Sequence, residues 1–412
     1  MRVKPFEALR PPKNLVTEVA APPYDVLNSE EAKAMAGEKS LLHITKPEID
    51  FDPMPDEHAP QVYDKAVENF RLWQQRGWLV RDEKPCYYIY AQTMGSRTQY
   101  GYVLCAHAQD YVEGRIKKHE LTRKDKEDDR MVHVEIQSAN IEPVFFAFKH
   151  QQELEDIIAQ TVQGPSEYKF TDENGFGHEL WVIADDALIA RISELFTEKV
   201  DAFYIADGHH RSAAAARVGA ERAKKNPDHN GSEEYNYFMA VCFPEDQLKV
   251  LDYNRVLRDL NGLQPTQVIG MLGDKFDVMC MGEEIWAPDE LHTFSMYLEG
   301  KWYKLRARPG TYDDTDPIGV LDVTILSNHV LDAIFGIKDL RTDSRIDFVG
   351  GIRGLGELKR RVDSGEMKIA FALYPVSMKQ ITDIADTGNI MPPKTTWFEP
   401  KLRSGLAIHT LD

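Results

Sequence analysis

Apolar residues along this chain fall into two rhythms. Between Glu57 and Trp78 they recur at helical spacing, at Val62, Ala66, Phe70 and Trp73, which predicts a helix ending near Gly77. Elsewhere the period is two. Tyr88 and Tyr90, then Tyr102 and Leu104, mark strands at 87–92 and 99–106 around a Met-Gly-Ser-Arg turn. Two more hairpins follow the same rule, at 168–171 with 178–183 and at 294–298 with 302–305. The first closes on Asn174 and Gly175, which accept the positive φ of a tight turn. Helical spacing returns at 186–197, 209–225, 322–335, 354–363 and 377–386, and a buried strand is expected at 368–374. A shorter helix is expected at 29–36, capped by Asn28 with Glu30 and Glu31 in its first turn.

Hairpins mixed with helices, without a regular βαβ series, predict an α+β fold built on a mixed sheet. At 412 residues the chain is long enough for two or three domains. We expect an N-terminal extension over 1–110, a core over 111–245 and a C-terminal α/β region over 246–412.

Charge narrows the function. Lys plus Arg number 49 and Asp plus Glu 67, a formal net charge of −18. Nucleic-acid binding runs on clustered positive charge, so it is disfavoured as the main activity. The N-terminus has no signal-peptide core and no run approaches ~18 apolar residues, which points to a cytoplasmic protein without membrane attachment. No two of the four cysteines are close enough for a Cys-x-x-Cys site, and Cys105, Cys242 and Cys280 sit in apolar runs that predict buried, inert thiols. A homo-oligomer is left open.

The most informative stretch is Ala202–Arg217. An apolar run, Phe203 to Ile205, leads into Asp207 and Gly208, and an Ala-rich helix begins at once. A strand, a glycine turn and a helix start aim free N–H groups and the positive helix end at an anion. Gly208, His209, His210, Arg211 and Ser212 are the phosphate-binding candidates. Cations there oppose the helix dipole, a cost that a bound anion would offset. The plain alternative makes Asp207 an N-cap and the histidines surface residues. Zinc suits this stretch less well, because adjacent helical histidines diverge by about 100°.

His119 and Glu120 stand in the charge run Arg115–Arg130, whose ordinary reading is a solvated face; no HExxH forms, since Arg123 and Lys124 follow. The PPYDV loop, with Tyr24 and Asp25, and the tail MPPKTTWFEPKL, with Lys394, Thr395 and Lys401, place polar groups among prolines, as substrate-lining or as packing loops. Arg130 joins these substrate-lining candidates. No Walker A, GxGxxG or GxSxG sequence occurs.

KPFEALRPP, APPYDV, His119–Thr122, ANIEPVF (Ala139–Phe145), ADGHHR (Ala206–Arg211) and MPPKTTWFEPKLRSGL, in that order, resemble a bacterial and archaeal family catalogued as a domain of unknown function. More distantly, the order of the HE, Pro-Val and DGHHR motifs is similar to the ParB/sulfiredoxin-like superfamily, nearest its free serine kinases. Lys118 stands where those kinases carry proline, and some 60 residues separate Pro143 from DGHHR. The resemblance implies such a core, elaborated by large insertions and N- and C-terminal extensions. It implies ATP or ADP with Mg²⁺ and a small hydroxyl-bearing metabolite such as L-serine as partners. Glu120 would be the base, Asp207 would sit by the metal or substrate, and His209 would stand in the catalytic set. The alternatives are a nucleotide-binding regulatory or partitioning module and a sulfiredoxin-like reductase. The reductase lacks a cysteine anywhere from Asp110 to Ala240.

Overall fold

The computed structural model describes residues 1–412 and is α+β. It divides into two units, Met1–Leu248 with Pro400–Asp412, and Lys249–Glu399. No helix is long and apolar enough to cross a membrane.

The first unit is built on a nine-stranded mixed sheet. Its strands are β1 (Val3–Lys4), β2 (Tyr87–Met94), β3 (Arg97–His107), β4 (Ile116–Lys117), β5 (Val144–Phe148), β6 (Tyr168–Thr171), β7 (Gly177–Ile183), β8 (Phe203–Asp207) and β9 (Tyr237–Pro244). They lie in the order β4-β8-β5-β9-β3-β2-β7-β6, with β1 on β3. The β4–β8 and β5–β9 pairs are parallel and the others antiparallel. Tyr87, Ile89, Tyr102, Leu104, Phe146 and Phe203 form its core with Leu195 and Phe196 of the helix Asp186–Lys199. The hairpin expected in an N-terminal extension is β2–β3, and β3 is hydrogen-bonded to β9. The residues of 1–110 and 111–245 therefore share one sheet and fold as one unit, which the tail Pro400–Asp412 rejoins.

Two helices of this unit, α1 (Lys124–Gln137) and α2 (His209–Lys225), pack against each other. The sequence pattern does not reveal α1, because its apolar face is thin; Asp129, His133 and Gln137 are its buried positions.

The second unit carries a six-stranded antiparallel sheet of β10 (Tyr253–Leu257), β11 (Phe276–Gly282), β12 (Thr293–Leu298), β13 (Lys301–Ala307), β14 (Ile346–Gly350) and β15 (Ile369–Leu373), ordered β11-β13-β12-β15-β10-β14. Cys86, Cys105 and Cys242 are buried, but Cys280 is exposed. Its apolar neighbours misled, because β11 is an edge strand whose Met279 and Met281 are exposed too.

Candidate functional site

The site grows from the end of β8. Phe203, Tyr204 and Ile205 are buried in the sheet, and Gly208 turns the chain into α2 with φ +89°. A side chain is disfavoured there twice over. The backbone is left-handed, and a Cβ would stand 3.2 Å from Val144 Cγ1 and 3.3 Å from Arg211 Nε. Gly208, not Asp207, occupies the N-cap position, and no side chain caps the helix. Asp207 Oδ1 instead accepts the Gly208 N–H at 2.9 Å, one residue short of the first-turn amides. The start of α2 thus keeps its positive end uncapped by protein side chains.

Two cations converge on Asp207. Lys401 Nζ is 3.3 Å and Arg211 Nη2 3.8 Å from Oδ2. Burial would raise this carboxyl, but Lys401 and Arg211 hold it well below its usual range. Lys401 comes from the tail, whose backbone is fixed by Gln92 Nε2 donating to the Lys401 carbonyl at 3.0 Å. Arg211 donates from Nη1 to the Pro143 carbonyl at 2.6 Å. Burial opposes its charge, yet Asp25, Glu142 and Asp207 sustain it.

The 119–123 segment reaches the same helix start across about 90 residues of sequence, because β4 runs parallel to β8. The His119 and His209 rings meet edge to face at 4.7 Å. Burial pushes His119 down to about 4, against a hydrogen bond to the Ile205 carbonyl, and holds His209 well below its ordinary value, so both are neutral at pH 7. His209 Nε2 is buried and has no hydrogen-bond partner. His210 Nε2 accepts the Arg123 N–H at 3.1 Å, which fixes it as an acceptor. Glu120, half-buried, lies between these two anchors, His119 and Arg123.

The PPYDV loop forms another wall. The Tyr24 N–H and the Ser404 hydroxyl both donate to Glu142 Oε1, at 3.0 and 3.1 Å. A backbone bridge between Ala21 and Ser404 ties loop to tail. The Arg130 guanidinium lies 3.8 Å from the centre of the Tyr24 ring and is held by Asp129 Oδ2 at 2.8 and 2.5 Å. Burial raises the Glu142 carboxyl, although Arg211 and Arg130 pull it down. Asp25 is exposed beside this cluster. Behind it, Arg130, His133, Gln137, Asn140, Glu142 and Arg211 line a cavity of about 40 Å³, large enough for water.

Of the residues expected from sequence, Tyr24, Asp25, His119, Glu120, Arg130, Asp207, Gly208, His209, His210, Arg211 and Lys401 are brought together around the start of α2. Ser212 is fully buried and its hydroxyl donates to the Gly208 carbonyl at 3.0 Å, so that oxygen is engaged within the helix. Lys394 and Thr395 belong to the other unit, where the Lys394 carbonyl accepts from Arg255 and the Thr395 hydroxyl donates to Pro392. Glu142 and Ser404 were missed. The signal for Glu142 was Pro143, which holds the residue before it extended and lets it project from the start of β5.

A family model described as "Protein of unknown function (DUF1015)" matches residues 3–324. No curated protein matches. Among solved structures, a conserved hypothetical protein from Pyrococcus furiosus is 14% identical with a TM-score of 0.34, covering 74% of this chain and 95% of its own. A free serine kinase in complex with AMP is 13% identical with a TM-score of 0.35, covering 74% and 91%. SbnI with a C-terminal truncation, from Staphylococcus aureus, is 10% identical with a TM-score of 0.34, covering 74% and 85%.

Proposed function

The chain belongs to the DUF1015 family, and we propose that within it this protein is a nucleotide-dependent phosphotransferase acting on a small hydroxyl-bearing metabolite, with a free L-serine kinase-like activity. One observation carries the reading. The uncapped start of α2 is flanked by two half-buried cations, Arg211 and Lys401, and by the unpartnered Nε2 of His209, with the Glu120 carboxylate on the adjoining segment. A helix start with its cations suits the phosphates of ATP or ADP, and phosphoryl transfer asks mainly for positioning and charge neutralisation.

In this mechanism the first-turn N–H groups of His209, His210 and Arg211 hold phosphate oxygens, the Gly208 turn lets the phosphate approach them, and the Arg211 side chain adds a charge-assisted hydrogen bond. Neutral His209 gives or takes a hydrogen bond at Nε2 without adding charge. Glu120 accepts the proton of the acceptor hydroxyl as its oxygen bonds to the terminal phosphorus and the bridging P–O bond breaks, leaving the shortened nucleotide. Tyr24, Asp25 and Arg130 line the acceptor side. Asp207 and the exposed Asp25 offer the hard oxygens that Mg²⁺ takes alongside nucleotide phosphates, and the ion would neutralise charge on the transferred group. The core would then be of the ParB/sulfiredoxin-like kind.

A second reading is a nucleotide-binding regulatory module. The contacts of Asp207 to Gly208 and Lys401 favour it, because they engage both oxygens of the carboxylate proposed to face the metal. A thermal-shift panel of ATP, ADP and CTP with Mg²⁺, followed by a phosphate-transfer screen over L-serine and other hydroxyl metabolites, separates the two. The kinase reading expects nucleotide stabilisation and a phosphorylated product. Stabilisation without a product supports the module, and no stabilisation contradicts both.

A further inference from the structure

Each of the half-buried or buried arginines around the site has a carboxylate: Arg130 has Asp129, Arg211 has Asp207 and Arg403 has Asp172. Arg255 in the second unit is the exception. It sits on β10 between β14 and β15, opposite Phe348 and Phe371, and is 1% exposed. No carboxylate pairs with it, and Tyr253 is the one titratable group acting on its charge. Its Nη1 donates to the Tyr253 carbonyl and its Nη2 to the Lys394 carbonyl at 2.9 Å, while the Phe348 ring lies 5.4 Å away. Its Nε is buried and has no hydrogen-bond partner.

Carbonyl oxygens satisfy the two outer nitrogens but bring no negative charge. A buried charge without a counter-ion is among the most costly arrangements in a protein interior, and an unsatisfied buried donor adds to that cost. Packing does not require it, since an apolar side chain of similar volume usually serves a buried position as well or better. A guanidinium kept here, with a donor unused, is explained by an anion.

The covering loop supplies a second cation. Lys394 adopts φ +60°, a left-handed conformation unusual for lysine, which places its carbonyl on Arg255. Its side chain is exposed, with Nζ 5.6 Å from the centre of the Tyr253 ring. The buried guanidinium is therefore bonded directly to the backbone of a residue whose own side chain is exposed.

We propose that Arg255 and Lys394 form a second binding site, within the Lys249–Glu399 unit, for a small oxyanion, a carboxylate or a phosphate group. The anion takes the Nε–H of Arg255 and is charge-balanced by both cations.

The test follows the unfolding midpoint of the full chain in inorganic phosphate and in acetate, against chloride at matched ionic strength. It is run in the Arg211→Ala background so that the contribution of the start of α2 is weakened, and the Arg255 and Lys394 variants separate what remains of it from the second site. The expected result is a saturable rise with at least one anion, lost when Arg255→Met is added. If Arg255→Met fails to fold, Lys394→Gln is used, and a weakening of the apparent affinity by about tenfold or more supports the site. A rise with phosphate alone assigns a phosphate ligand, one with acetate alone a carboxylate, and one with both a general oxyanion site. Absence of any rise in Arg211→Ala, or a rise unchanged by Arg255→Met or Lys394→Gln, overturns the proposal.

Discussion

Replacing Arg211 with alanine removes the cation nearest the start of α2, and the structure lets both consequences be sized. Toward nucleotide, the loss is one charge-assisted hydrogen bond to phosphate, about 1.5–3 kcal/mol, or a rise in Kd of about 10- to 150-fold. Toward the fold, the helix start itself tolerates alanine, a good helix former, but two contacts disappear. The Pro143 carbonyl loses its 2.6 Å donor, and buried Glu142 loses one of the two arginines that oppose its burial. Together these should cost about 1–3 kcal/mol of stability. Calorimetric titration with ATP or ADP at a temperature where both proteins are folded separates the two effects, and urea unfolding measures the second. Arg211→Lys keeps the charge without the planar fork, so it should recover part of the affinity. Equal nucleotide affinity in Arg211→Ala and parent would remove Arg211 from the site and refute the phosphate assignment built on it.

Neighbouring residues carry further expectations. Glu120→Gln keeps shape but cannot take the proton, so kcat should fall by ~10²–10⁴ with nucleotide affinity nearly unchanged; a fully active variant would return Glu120 to the solvated face. Gly208→Ala forces a Cβ into a left-handed backbone 3.2 Å from Val144, so urea unfolding should register a loss of about 1–3 kcal/mol, and parental stability would contradict the turn geometry. His119 titrates at about 4 in the folded chain against 6.5 ordinarily, so the unfolded chain binds its proton first as pH falls. Stability from this residue is complete above pH 6.5 and declines by about 3 kcal/mol toward pH 4. His133, pushed by burial to about 3, steepens the same decline. A pH series of unfolding midpoints should flatten in His119→Gln, and an unaltered slope would argue against a buried neutral ring.

Local chemistry made much of this fold legible. The Ala-rich run from His209 to Lys225 is a helix at those bounds, and the hairpins at 87–107 and 168–183 turn where glycine or a polar turn permits. The anion-site motif was readable because strand, glycine and helix are contiguous. What escaped depends on pairing between distant segments. Helix α1 hides in a charge run because its buried face is made of Asp129, His133 and Gln137, which no hydrophobic pattern detects. Glu142 joins the site only because Tyr24 and Ser404, 118 and 262 residues away, both donate to it. The tail motif looked like one loop, yet its Lys401 belongs to the first unit and its Lys394 to the second, a division that sequence continuity conceals. Asp207 looked like a cap, but the left-handed turn at Gly208 moves the cap one residue onward.

Whether the start of α2 holds nucleotide phosphates is decided by a crystal structure of the full chain with ADP and Mg²⁺. A phosphate of the nucleotide is expected within hydrogen-bond distance of the first-turn N–H groups, with Arg211 and His209 Nε2 turned toward it. A nucleotide bound elsewhere, with the N–H groups of His209 to Arg211 facing only solvent or protein, would contradict that assignment.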